Sequence, residues 1–227
     1  MLSLPDIRAL TFDCYGTLID WETGILTTLR PLFPAASDAD LLTLYAHHEA
    51  AEEAGSYKPY HEVLANVLSA IAAHYKHTLT DNHVLADSLP SWPVFPDTRP
   101  FLTAAAQRYT LCVCSNIDDD LWAGTHHAIN VPIDRVVTAQ YCRSYKPDPR
   151  HFRVALALLD LEPHQVLHVA ESRRHDIAPA KALGFQTAWV NRHKHRPGPS
   201  ASGHADAVPD LEIASLDELA GILGLPR

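Results

Sequence analysis

Four short stretches of this chain carry polar residues directly behind apolar runs, and their types suit the transfer of a small group through a carboxylate. Asp13 closes IRALTF (7–12) and is followed by Tyr15, Gly16 and Thr17; Ser115 and Asn116 close TLCVC; Lys146 follows DRVVTA (134–139); Glu171 to Asp176 follow VLHVA (166–170). A carboxylate such as Asp13 can attack as a nucleophile, forming an ester or acyl-phosphate that water later cleaves. Lys146 would hold it ionised and attract an anionic substrate. Thr17, Ser115 and Asn116 offer neutral hydrogen bonds to a carboxylate or phosphoryl group, and Gly16 lets the backbone come close. Singly, each has a plainer role: Asp13 capping a turn, Ser115 or Asn116 capping a helix, Asp176 sitting in a helix's first turn. Together they point to one small-ligand site, because strand ends of one sheet converge on one crevice.

The elements needed to bring them together are visible in the periodicity. The apolar runs at 7–12, 110–115, 134–139, 166–170 and 186–190 read as buried strands. Between them, 117–127, 149–160 and 174–183 read as helices, and a last helix begins at Ser215. Alternation of this kind predicts a Rossmann-like parallel sheet covered on both faces, with ligands bound beyond the carboxyl ends of its strands. From about Trp21 to Leu89 the pattern is helical only. Ser37 with Asp40 forms a capping box for a helix closed by Gly55, Val63 to Ile71 recur at helical spacing, and Thr80 caps a shorter helix reaching Leu89. Pro90, Pro93, Pro96 and Pro100 then read as a return linker. The expected organisation is an α/β catalytic core of 1–17 and 97–227 with a helical cap inserted at 18–96.

Composition narrows the function classes. The chain has 227 residues, 47% hydrophobic, with a net charge of −9, which argues against nucleic acid or an anionic membrane as partner. The charge is concentrated in 18–96, with ten acids against three bases, while the remainder carries 17 against 15. The stretch Asn191–Gly198, with Arg192, Lys194 and Arg196, reads as a solvated basic loop. No apolar run approaches the ~20 residues of a membrane span, and MLSLPDIRAL lacks a signal-peptide layout. Four cysteines, two inside a strand, read as buried thiols in a reducing compartment. A soluble cytoplasmic protein is expected.

The segments FDCYGTLIDWE (12–22), CSN (114–116), SYKPDPRHF (144–152) and VAESRRHDIAPAKALG (169–184) resemble, in order and spacing, the four motifs of the haloacid dehalogenase superfamily. The resemblance implies Asp13 as nucleophile, Thr17 and Ser115 as binders of the substrate's anionic group, Lys146 as the motif lysine, and Asp176 as the last-motif acid. It also implies a homodimer.

Two branches of that superfamily compete. Its phosphatases place a second Asp two residues after the nucleophile, where this chain has Tyr15, and Tyr there resembles the 2-haloacid dehalogenases, whose halide leaves without a proton. Those enzymes also carry a cap arginine, and LYAHHEAAEEA (44–54) has none. They have Tyr at the place of Phe152, and Ser and Asn at Glu171 and Arg173. In the phosphatases an acid at the Glu171 position helps bind magnesium, so Asp13, the Tyr15 carbonyl, Glu171 and Asp176 could hold Mg2+; the alternative is that Lys146, Arg173 or Arg174 pairs with Glu171. The dehalogenase branch implies no cofactor. A small anionic substrate is expected on either branch, the dehalogenase is preferred, and a non-catalytic binding protein on the same fold is a third reading. The pairs His47/His48 and His126/His127 diverge on their helices and make poor zinc ligands. His175 is either a helix-start residue or a base for hydrolysing a covalent intermediate.

Overall fold

The structure, a computed structural model, describes residues 4–194 and 206–226. Its centre is a parallel sheet of β1 (Ala9–Phe12), β2 (Thr110–Ser115), β3 (Arg135–Thr138), β4 (Val166–Ala170), β5 (Gln186–Val190) and β6 (Leu211–Ile213), in spatial order β3-β2-β1-β4-β5-β6. Every residue of β1 and β4 is buried, as expected of strands covered on both faces. The register pairs Phe12 with Val113 on one side and with Val169 on the other. Asp13, Ser115 and Glu171 therefore leave the sheet at neighbouring carboxyl ends, and chain order reverses direction at β1, where a crevice must open.

The segment 18–96 between β1 and β2 holds α1 (Trp21–Leu29), α2 (Asp38–Glu53), α3 (Tyr60–His74) and α4 (Val84–Ser88). Leu41, Leu42 and Tyr45 of α2 are buried with Val63, Leu64, Val67, Leu68 and Ile71 of α3, so the 3.6-residue pattern marks their shared face. Trp92 lies against Gly24 of α1, where a Cβ would come within 2.3 Å of the indole. The helical segment is fastened to the sheet side by His61, whose backbone N–H donates to Asp118 (3.0 Å) and whose ring meets Asp120 (2.9 Å), and by the Tyr145 hydroxyl, which donates to the Lys58 carbonyl (2.8 Å). The remaining helices are α5 (Thr98–Ala105), α6 (Asp119–Ile129), α7 (Ala139–Cys142), α8 (Arg150–Leu159), α9 (Ala178–Ala182) and α10 (Leu216–Leu223).

Several local expectations are corrected. The stretch read as a proline linker contains α5, with Pro100 in its first turn, where the missing N–H is one that a helix leaves unpaired anyway. The helix expected from Thr80 starts at Val84, after a turn in which Asp81 accepts the His83 N–H. Ser37 caps α2 as expected, but the helix ends at Glu53 with Ala54 in helical conformation, so Gly55 is not needed for closure. Strand β6 was not foreseen, three residues being too short for a period. Arg192 is not solvated: its guanidinium is only 12% exposed, pairs with Asp97 (2.6 Å) and lies 4.0 Å from the Phe95 ring centre. His195, Arg196 and Gly198 lie outside the described residues. All four cysteines are buried and free. Among the described residues no helix is long and apolar enough to cross a membrane.

Candidate active site

The site is built around a buried ammonium. Lys146 Nζ donates to Asp13 Oδ1 (2.8 Å), Asp176 Oδ1 (2.7 Å) and the Cys114 carbonyl (2.9 Å), so all three of its protons have acceptors. The lysine is 2% exposed, Asp176 1% and Asp13 7%. These three side chains come from three separate sheet crossings, and only the parallel register brings them together.

Burial sets their ionisation apart. It raises the Asp13 carboxyl above its ordinary value and the neighbouring Asp176 charge adds to that, against the lowering pull of Lys146 and Thr17. Burial also pushes Asp176 up, but Lys146 and His168 outweigh it and hold this carboxyl down at about 2. For Lys146 the two carboxylates overcome desolvation, and its pKa is raised. Asp176 is thus the permanent counter-charge, and Asp13 is the more basic carboxylate of the two.

The neutral groups divide into those that hold the machinery and those that face the cavity. Thr17 is fully buried; its hydroxyl donates to Asp13 Oδ2 (2.8 Å) and accepts from the Glu171 N–H (2.9 Å), so it orients Asp13 where it was expected to hold substrate. Asn116 accepts from the Lys146 N–H (2.7 Å), and its amide donates to the Lys146 carbonyl (3.2 Å) and to Glu53 (3.3 Å). It fixes the lysine loop while also lining the cavity. The Tyr15 hydroxyl bonds Thr125 (2.7 Å), and burial raises its pKa well above the ordinary phenol value. Among the described residues Ser115 Oγ has no hydrogen-bond partner although the residue is only 1% exposed, and Ser115 lines the cavity. Gly16 has φ +88°, and a Cβ there would stand 3.2 Å from Trp21 Nε1 and 3.4 Å from Glu171 Oε2, so the turn after Asp13 requires glycine.

The cavity, about 310 Å³, opens between the strand ends and the helical segment. Asp13, Ser115, Lys146, Glu171 and Asp176 line one part, and Trp21, Glu49, Glu53, Tyr60 and Trp92 another. Glu171 is 8% exposed beside Gly16, and its backbone carbonyl accepts the Trp189 indole N–H (2.7 Å). Of the three cations expected as its partners, Arg173 stacks over Trp189 and donates to the Ala207 carbonyl, Lys146 donates to Asp13, Asp176 and Cys114, and Arg174 lines the cavity with Glu171. His175 also lines the cavity, and burial lowers its imidazole to about 4.

Sequence reading missed the site roles of four residues. His168, fully buried, bonds Asp176 Oδ1 (3.1 Å) and Thr11 (2.9 Å), with the Phe152 ring edge-on to it at 5.1 Å. A histidine inside the apolar run VLHVA was the available signal, since a buried imidazole demands partners. Arg192 donates to the Thr17 carbonyl (2.6 Å) and so buttresses the first loop from a distant part of the chain. Glu49 and Glu53 enter the cavity from α2, a helix read only for its lack of arginine.

Residues 7–184, which span all four loops, match the family described as haloacid dehalogenase-like hydrolase. The chain belongs to that family. Among curated relatives, this hydrolase is 28% identical over 229 residues to (S)-2-haloacid dehalogenase 1 of Pseudomonas sp. (strain CBS-3), covering 97% of this chain and 98% of the relative. It is also 28% identical over 222 residues to the phosphoglycolate phosphatase of Rhodospirillum rubrum, covering 94% and 91%. The crystal structure of an L-2-haloacid dehalogenase superposes with a TM-score of 0.82 at 24% identity, covering 96% of this chain and 99% of that one, which shows a shared fold.

Proposed function

We propose that this hydrolase acts through Asp13 as a covalent nucleophile on a small 2-halogenated carboxylate. The observation that carries the reading is Tyr15: the position two residues after Asp13 holds a phenol, tied to Thr125 and held protonated by burial, instead of a carboxylic acid. A leaving group that needs a proton would find no acid there, whereas halide needs none. An Asp13 oxygen attacks C2, the carbon–halogen bond breaks, and halide departs with its electron pair. Water then adds to the Asp13 carboxyl carbon, the ester C–O bond breaks, and the 2-hydroxy acid leaves with Asp13 restored and a proton released. Lys146, with Asp176 as its counter-charge, holds Asp13 in place, Ser115 Oγ is the neutral donor for the substrate carboxylate, and His175, neutral at pH 7, is the acceptor available to the attacking water. This reading calls for no cofactor.

A second reading, a magnesium-dependent phosphatase, is favoured by Glu171. Its buried carboxylate and Asp13 meet at the cavity wall as hard oxygen ligands suited to Mg2+, with the Tyr15 carbonyl and Asp176 completing the set proposed from sequence. When bound, the ion would neutralise charge on a phosphoryl oxygen. Halide release from short 2-haloacids and phosphate release from phosphate esters, each with chelator and with magnesium, separate the two. Chelator-resistant halide release is expected; magnesium-dependent phosphate release without halide, abolished by Glu171→Ser, overturns it. On either reading residues 18–96 act as the cap, 1–17 with 97–227 as the catalytic core, and the protein works in the cytoplasm as a homodimer; light scattering should then give a mass twice the 25.1 kDa of one chain, and a mass near one chain would remove the dimer.

A further inference from the structure

Glu49 and Glu53 stand four residues apart on one face of α2 and both line the cavity. Two carboxylates so spaced repel each other. Glu49 accepts hydrogen bonds from the Tyr45 hydroxyl (3.0 Å) and from Tyr60, which orient it without neutralising it. Glu53 accepts from the Asn116 amide at 3.3 Å and feels the charges of Lys146 and Arg174 at longer range, and among the described residues neither glutamate lies within ion-pair distance of a basic side chain. Lys146 is fully engaged by Asp13, Asp176 and Cys114. The other basic side chains in the wall are Arg174, which is exposed, and the histidines His47 and His175.

Two further features point to a ligand here. Ser115 Oγ, buried in the same wall, lacks a partner among the described residues and so waits for one. The glutamates line the same cavity as the rings of Trp21, Tyr60 and Trp92, a ring type whose face attracts an organic cation. Asp13, Glu49 and Glu53 line one cavity of about 310 Å³, the scale of a single small molecule. A metal ion is the poorer match, because one oxygen of Glu49 already accepts two hydroxyl protons.

We propose that the cavity selects a zwitterionic substrate, a small acid whose reacting end lies at Asp13 and Ser115 and whose far end carries an ammonium held by Glu49 and Glu53. The inference rests on the reading of this cavity as the substrate site of Asp13, and it names the class of acid that site takes. It also accounts for the arginine-free α2, since an arginine facing an ammonium would repel it.

Calorimetric titration compares pairs that differ by ammonium against methyl: 4-aminobutanoate with pentanoate, and 5-aminopentanoate with hexanoate. The amino acid of at least one pair should bind about tenfold more tightly or better, as a hydrogen bond to a charged group allows. Glu49→Gln and Glu53→Gln, whose amides can still accept or donate the neighbouring hydrogen bonds, should each cut that preference several-fold with unchanged circular dichroism. Equal or tighter binding of the methyl compounds, no binding of any of the four, or a preference that survives both substitutions overturns the proposal. So does magnesium binding that Glu53→Gln removes in the absence of an amine preference. Because binding needs no turnover, the two readings fail separately: Asp13→Asn that keeps turnover removes the substrate-site reading, whereas lost turnover without amine preference removes only this inference.

Discussion

Asp13 and Asp176 share one ammonium, whereas Glu49 and Glu53, lining the same cavity, share none. The contrast shows how a cation converts burial from a penalty into a tool. Around Lys146, burial strengthens the ion pairs and leaves two carboxylates of unequal basicity, one a fixed counter-charge and one available for attack. On α2, burial acts against both acids: Glu53 is raised well above its ordinary value, first by desolvation and then by Glu49. The first cluster is complete in the resting protein. The second is complete only when a ligand brings the missing charge.

The largest effect that tests this contrast is Asp13→Asn, which should lower turnover on the order of ten-thousandfold while leaving the fold intact, since an amide is a far poorer nucleophile. Retained steady-state activity would place the chemistry elsewhere. Lys146→Met should be costly in a different way, destabilising the protein by about 3–5 kcal/mol in denaturant unfolding, because it strands two buried acids without their cation. An unfolding midpoint matching the parent would mean that the lysine is not the keystone of that cluster.

The ionisation asymmetry has its own signature. Because Asp13 must be charged to attack and its pKa is raised, the acidic limb of kcat/KM should fall at a pH above the ordinary carboxylate value. Asp176, held at about 2, contributes on the order of 2 kcal/mol of stability above about pH 4, lost as pH falls toward 2. Asp13 works in the opposite direction, its raised pKa costing stability once it ionises. Asp176→Asn should therefore flatten the stability profile between pH 4 and 2, and an unchanged profile would remove the assignment. The smallest effect belongs to α2: Glu53→Gln relieves a like-charge pair and should raise stability by about 0.2–0.5 kcal/mol. A clear loss instead would mean that Glu53 is paired in the resting state.

Much of the reacting centre was legible because its residues lie at or a few residues beyond the carboxyl ends of apolar strands, and strand ends of a parallel sheet meet. Asp13, Ser115, Lys146 and Asp176 could be named from that position alone. The roles of Thr17 and Asn116 could not: their types suit substrate binding, but their hydroxyl and amide are used on Asp13 and on the lysine loop. Arg192 read as solvated because its neighbours in sequence are polar, whereas its partners Asp97 and Thr17 lie far away along the chain. The segment 174–183 read as one helix, whereas Arg173–Ile177, which carries Asp176 and His175, is a wider π turn and only Ala178–Ala182 is α-helical, a difference of hydrogen-bond spacing that apolar periodicity does not resolve.

Local pattern, set by period and by breakers such as Gly16, determined that this chain forms a parallel α/β core interrupted by helices, and which residues stand at its strand ends. Family membership was legible there too, since loop order and spacing are one-dimensional properties. Only the tertiary structure decided what each polar group has left to offer. Hydrogen-bond capacity and charge compensation depend on partners distant in sequence: His168 under Asp176, Arg192 on Thr17, and Glu49 and Glu53 facing a cavity whose lysine is already engaged by Asp13 and Asp176.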